Sequence, residues 1–118
     1  MNVKGKNIII TGGSLGIGKE TARALAKKGA NVLITGRSEN RLIEAKSYTG
    51  AKIIEFDISD HKNISDHAKK CINIFDGKID VLINNAGIGV RKSVEELNIE
   101  NFLKVFNVNV FGLALFTK

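Results

Sequence analysis

Apolar positions follow two rhythms along this chain. Four short runs rich in β-branched residues, Asn7–Thr11, Asn31–Thr35, Lys52–Phe56 and Ile79–Ile83, have the continuous apolar character of strands covered on both faces. Between them the spacing turns helical. Ile17, Ala22, Leu25 and Ala26 mark one side of a helix that runs to Lys28 and stops before Gly29, a residue suited to a helix C-terminus. Ser38 is a side-chain cap for a second helix through about Ser47, and a third extends from near Asp60 to Phe75. Strands separated by helices of this length require right-handed crossovers. The pattern therefore predicts an α/β fold, a doubly wound parallel sheet of strand order 3-2-1-4 in a single domain over 1–118.

The stretch after the fourth strand is different. Ser93-Val-Glu-Glu96 has the form of a capping box, and Asn98 is placed to cap a further helix from Ile99. Phe102, Phe106, Val110, Phe111 and Leu115, with their apolar neighbours, leave that helix almost no polar face. Such a helix is expected to be buried against sheet and partner alike, which makes 99–118 the expected surface of any homo-oligomer.

Composition narrows the function classes. With 118 residues, 43% hydrophobic and 25% charged, the chain is one soluble-type domain. No contiguous apolar run approaches a membrane span, and Met1-Asn2-Val3-Lys4 leads into a strand rather than a secretory core. A cytoplasmic location without a membrane partner is the expectation. The formal charge of +6 comes from separated pairs such as Lys4 and Lys6, Lys27 and Lys28, and Lys69 and Lys70. Because no stretch interleaves them with aromatic residues, a nucleic-acid partner is not expected; the field instead favours an anionic cofactor. Cys71 repeats at helical spacing with Ile64, Ala68 and Phe75 and is read as core. His61 and His67 are six residues apart on the expected third helix, so they point in different directions, and no metal site is expected.

The strongest local signal is Thr11-Gly-Gly-Ser-Leu-Gly-Ile-Gly18, between the first strand and the first helix. A helix start presents unpaired N–H groups and the positive end of its dipole, and glycines let a diphosphate approach the backbone. At the end of the second strand, where an acidic residue would hold the ribose 2′-hydroxyl of NAD, this chain has Thr35-Gly36-Arg37-Ser38. A guanidinium at Arg37 donates paired bonds to a 2′-phosphate and favours NADP(H).

These motifs, together with Asp57-Ile58, Asn84-Asn-Ala-Gly87 and Asn107-Val-Asn-Val-Phe-Gly112, resemble the short-chain dehydrogenase/reductase family in order and spacing over essentially the whole chain. The resemblance implies a Rossmann-type domain and hydride transfer between a nicotinamide and a carbonyl or alcohol. It implies that Gly12, Ser14, Leu15, Gly16, Ile17 and Gly18 form the diphosphate cradle. Asp57 and Ile58 would meet the adenine, while Asn84, Ala86 and Gly87 would line the cofactor beneath the nicotinamide ribose. Asn84 and Asn85 are also expected to tie strands together. Many NADP-preferring members carry a basic residue where Leu15 stands, so Arg37 would hold the 2′-phosphate with little help beyond a hydroxyl of Ser14 or Ser38, which leaves room for NAD(H).

The family's proton relay uses a serine, a tyrosine, a lysine four residues later, and an asparagine. Of these the resemblance supplies only Asn109, whose alternative role is to satisfy a kinked helix backbone. Tyr48-Thr-Gly-Ala-Lys52 mimics the tyrosine–lysine spacing, but Thr49-Gly50 breaks the helix that would align the pair. As given, the chain reads as a sheet truncated after its fifth helix begins: inactive alone, marginally stable, and able to take a carbonyl or alcohol substrate only if completed. A non-catalytic dinucleotide-binding or sensor module and an inert fragment are the alternatives.

Overall fold

The computed structural model describes residues 2–118. Four strands, β1 (Asn7–Thr11), β2 (Asn31–Gly36), β3 (Lys52–Glu55) and β4 (Val81–Ile83), form one parallel sheet in the order β3-β2-β1-β4. This is the expected doubly wound topology. The alternation of side chains across the pleat supplies both cores. Ile8, Ile10, Val32 and Ile34 face one side, beneath α1 (Gly16–Lys27) and α2 (Glu39–Thr49). Ile9 and Leu33 face the other, beneath α3 (Ile64–Ile74) and the C-terminal helical stretch. Only the central pair β1 and β2 is covered on both faces. β3 and β4 are half-buried, and β4 pairs with β1 alone among the described residues.

Local stops follow the sequence chemistry. Ser38 Oγ accepts from the Arg41 N–H at 3.4 Å at the start of α2, and Gly50 ends that helix with φ 77°. Cys71 is fully buried, and burial pushes its thiol up to about 11, so it stays protonated as a core residue. The third helix begins later than its spacing suggests, because a 3₁₀ turn at His61–Asn63 precedes α3. Val94–Glu96 likewise forms only a 3₁₀ turn, capped by Ser93, whose N–H is held by the Glu96 carboxylate at 3.3 Å.

The C-terminal stretch is not one regular α-helix. α4 (Ile99–Phe106) widens into a π-helical segment, Asn107–Gly112, before α5 (Leu113–Thr117). Val108, Gly112 and Phe116 bury one side, while Phe102, Phe106, Val110, Phe111 and Leu115 stay exposed. By length and composition Ile99–Thr117 also matches a membrane span, which contiguous apolar runs did not reveal because Asn101, Lys104, Asn107 and Asn109 interrupt them. Its inner side nevertheless packs on the domain: a Cβ at Gly112 would lie 2.5 Å from the Ile58 carbonyl oxygen, and Phe116 meets Phe56 with ring centroids 5.3 Å apart.

Candidate functional site

The carboxyl ends of the strands open into a cleft of about 590 Å³, the place where open α/β sheets bind ligands. One end is the loop between β1 and α1. Gly12 adopts φ 68°, and a Cβ there would stand 2.7 Å from the Ala86 Cα. Gly13 is tied to β2 by its N–H to the Thr35 carbonyl at 3.1 Å. Gly18 is buried under the loop, where a Cβ would collide with the Asn85 side chain and lie 2.7 Å from the Gly12 carbonyl oxygen. These contacts hold loop, β4 end and helix start together.

The start of α1 is open. Leu15 at its cap makes no side-chain cap bond, no acidic residue stands in the first turn, and the N–H groups of Gly16, Ile17 and Gly18 have no acceptor among the described residues. Unsatisfied donors at the positive end of a helix dipole are a fitting cradle for a diphosphate. Gly16 has φ 53° and open space where a Cβ would stand.

Ser14, Leu15, Arg37, Asp57 and Ile58 line the same cleft, as do Ala86 and Gly87 on its far wall. The structure thus brings together most of the residues singled out from the sequence. Ile17, Gly18, Asn84 and Asn109 lie outside the lining: Ile17 is 81% exposed on the outer surface, and Gly18 is the buried support described above. Asn84 reaches α5, its Nδ2 donating to Thr117 Oγ1 at 3.2 Å, rather than tying strands together. Asn85 does join strand ends, donating to the Gly12 carbonyl oxygen at 3.1 Å. Asn109 sits behind Gly87 in the π-helical segment, where its Oδ1 accepts from the Ile88 N–H at 2.8 Å and its Nδ2 donates to the Ile88 carbonyl at 2.9 Å.

Several participants escaped the sequence reading. Thr11 opens the glycine-rich motif, but its role was not foreseen: it is buried, and its hydroxyl oxygen accepts from both the Asn85 and Ala86 N–H groups at 3.1 Å. Phe56 lines the cleft and stacks on His67 at 4.6 Å. Arg41 lines it from the first turn of α2. Asp57 Oδ1 accepts from both the backbone and the hydroxyl of Ser59, at 2.9 and 2.7 Å, so the carboxylate is oriented by its own turn.

Tyr48 lies elsewhere. Its hydroxyl donates to Glu20 at 2.8 Å and accepts from Arg23 at 2.7 Å, with the Arg23 guanidinium 4.4 Å from the ring centroid. Lys52 lies beyond the helix end, on β3. The hydroxyl links α1 to α2, so Tyr48→Phe is expected to cost less than about 1 kcal/mol of stability and to leave dinucleotide binding unchanged. A chemical melt and a binding titration of that variant check both. Among the described residues no group of three or more His, Cys, Asp or Glu could hold a metal; His61 Nε2 bonds the Asn107 carbonyl at 2.8 Å.

Comparison with known proteins extends this geometry. The family model described as short chain dehydrogenase matches residues 6–118. An L-rhamnose 1-dehydrogenase (NADP(+)) of Thermoplasma acidophilum is 40% identical over 93% of this chain and 45% of its own length. An uncharacterized oxidoreductase of Staphylococcus epidermidis is 36% identical over 93% of this chain and 48% of its own. The crystal structure of a 3-ketoacyl-(acyl-carrier-protein) reductase from Brucella melitensis complexed with NADH superposes with a TM-score of 0.89 at 33% identity, over 98% of this chain and 48% of that one. The chain spans about half the length of the curated relatives it matches.

Proposed function

From a chain that belongs to the short chain dehydrogenase family, we propose a cleft that binds NADP(H) in preference to NAD(H), within an oxidoreductase acting on a carbonyl or alcohol. The observation that carries this reading is the cleft's composition: open helix-start donors at one end and an arginine, not a carboxylate, at the tip of β2.

When bound, the nicotinamide supplies the hydride donor or acceptor. The chain's own residues bind and orient. The N–H groups at the start of α1 receive the diphosphate, and Arg37 pairs with the 2′-phosphate. Asp57 and Ile58 border the adenine, while Ala86 and Gly87 form the wall along the ribose on the nicotinamide side. Asn109 fixes that wall through Ile88. The sole tyrosine of the 118 residues, Tyr48, is engaged on α1, so these residues contribute cofactor binding rather than the general acid.

Titrating NADPH by its fluorescence tests the reading. Arg37→Glu replaces attraction by repulsion at the 2′-phosphate, and binding is expected to weaken roughly 10- to 100-fold, the loss of a charge-assisted pair of about 1.5–3 kcal/mol. NADH binding should hold or improve. A preference for NADPH that survives the charge reversal would remove Arg37 from specificity.

A further inference from the structure

We propose that Arg41 is a second specificity-determining residue, which pairs with the 2′-phosphate together with Arg37. The inference rests on the NADP(H) reading above and goes beyond it, since Arg37 is the only cation which that reading uses.

Placement comes first. Arg37 stands at the tip of β2 and Arg41 in the first turn of α2, and both line the same cleft as Ser14. Ser38 between them also lines the cleft and caps α2, its Oγ accepting from the Arg41 N–H, so the cap ties the backbone of Arg41 to the cleft lining. Ser14 Oγ lies 3.1 Å from where a Cβ on Gly36 would stand. A side chain at Gly36 would crowd that hydroxyl, which shares the lining with the two arginines.

Charge comes second. The Lys78–Asp80 contact at 3.9 Å is the sole ion pair among the described residues, so neither guanidinium is neutralised by a carboxylate. Asp57, the one acidic residue of the cleft lining, is bonded to Ser59. Glu39 and Glu44 share α2 with Arg41 but are not part of that lining. A phosphate monoester carries up to two negative charges and three acceptor oxygens, more than one guanidinium satisfies. With Leu15 in the loop 50% exposed and uncharged, Arg41 is the remaining cation in the lining besides Arg37.

Calorimetric titration with NADP⁺ and NAD⁺, which differ only in the 2′-phosphate, tests the assignment on the wild-type chain, Arg41→Gln, Arg41→Lys, Arg37→Gln and the double glutamine variant. Thermal melts of each confirm folding. Arg41→Gln is expected to weaken NADP⁺ binding about fivefold, as for a partly exposed charge-assisted contact, and to leave NAD⁺ unchanged. Arg41→Lys should recover part of the loss, and the double variant should bind the two dinucleotides alike. If Arg37→Gln weakens NADP⁺ binding and Arg41→Gln does not, Arg41 has no part in recognition while the NADP(H) reading stands. Equal weakening of both dinucleotides by Arg41→Gln also overturns the proposal. If the wild-type chain does not distinguish NADP⁺ from NAD⁺, the reading and the inference fall together.

Discussion

Gly12→Val is expected to abolish detectable dinucleotide binding and to lower stability by about 3 kcal/mol, the sum of a left-handed backbone penalty of about 1–2 kcal/mol and an overpacking penalty of about 1–3 kcal/mol. Gly12 has φ 68°, which disfavours any side chain, and its Cβ would stand 2.7 Å from the Ala86 Cα and 3.0 Å from the Ala86 nitrogen. Both neighbours are backbone, and the Ala86 N–H is held by Thr11 Oγ1. Relief therefore has to move the end of β4 away from the loop. That movement separates the two walls of the cleft, which links the stability loss to the binding loss.

Gly16→Ala is the internal control. It has the same left-handed backbone, φ 53°, yet open space around its Cβ position, so only the conformational penalty of about 1–2 kcal/mol applies. Urea denaturation followed by circular dichroism compares the two, and NADPH fluorescence reads the binding. Equal destabilisation by both substitutions would show that close packing between Gly12 and Ala86 contributes nothing.

The sheet order was legible because the strands' period of two fills both faces with apolar residues, and only crossover helices cover both faces of a parallel sheet. The same alternation assigns the two asparagines after β4. Asn84 follows Leu82 on the side of α3 and α5 and meets Thr117, whereas Asn85 turns to the loop. Adjacent identical residues offer no such distinction until the register is applied. The cleft's glycines and Arg37 were legible as types at positions. Arg41 was not, because on an exposed helix face an arginine looks like any solvated charge; only its place in the cleft lining sets it apart. The π-helical turn at Asn107–Gly112 was hidden for a related reason. Asn107 and Asn109 interrupt its apolar run without marking a change of helix type, and two tertiary demands accompany the widening: the Ile58 carbonyl pressed against Gly112, and the Ile88 backbone bonded by Asn109.

That second demand gives the other large effect. Asn109→Leu keeps the side chain's size and removes its donor and its acceptor, leaving the Ile88 N–H and carbonyl, both bonded in the native structure to Asn109, without partners. Unpaired groups of this kind cost about 1–3 kcal/mol each where water does not replace the partner, and the site is part-buried; the expected loss is about 3 kcal/mol. The loss also has an address. Ile88 and Gly87 line the cleft, and a Cβ on Gly87 would stand 3.5 Å from Asn109 Oδ1, so the released segment is the wall of the cleft itself. Hydrogen exchange over 84–92 is expected to accelerate more than exchange over β1 and β2, and NADPH binding to weaken before any step of chemistry is involved. Asn109→Asp separates the two bonds: it keeps an acceptor for the Ile88 N–H but sets a carboxylate oxygen against the Ile88 carbonyl, so repulsion replaces one bond and the wall is expected to loosen as well. Unchanged exchange at Ile88 in the leucine variant would mean that Asn109 does not position this wall.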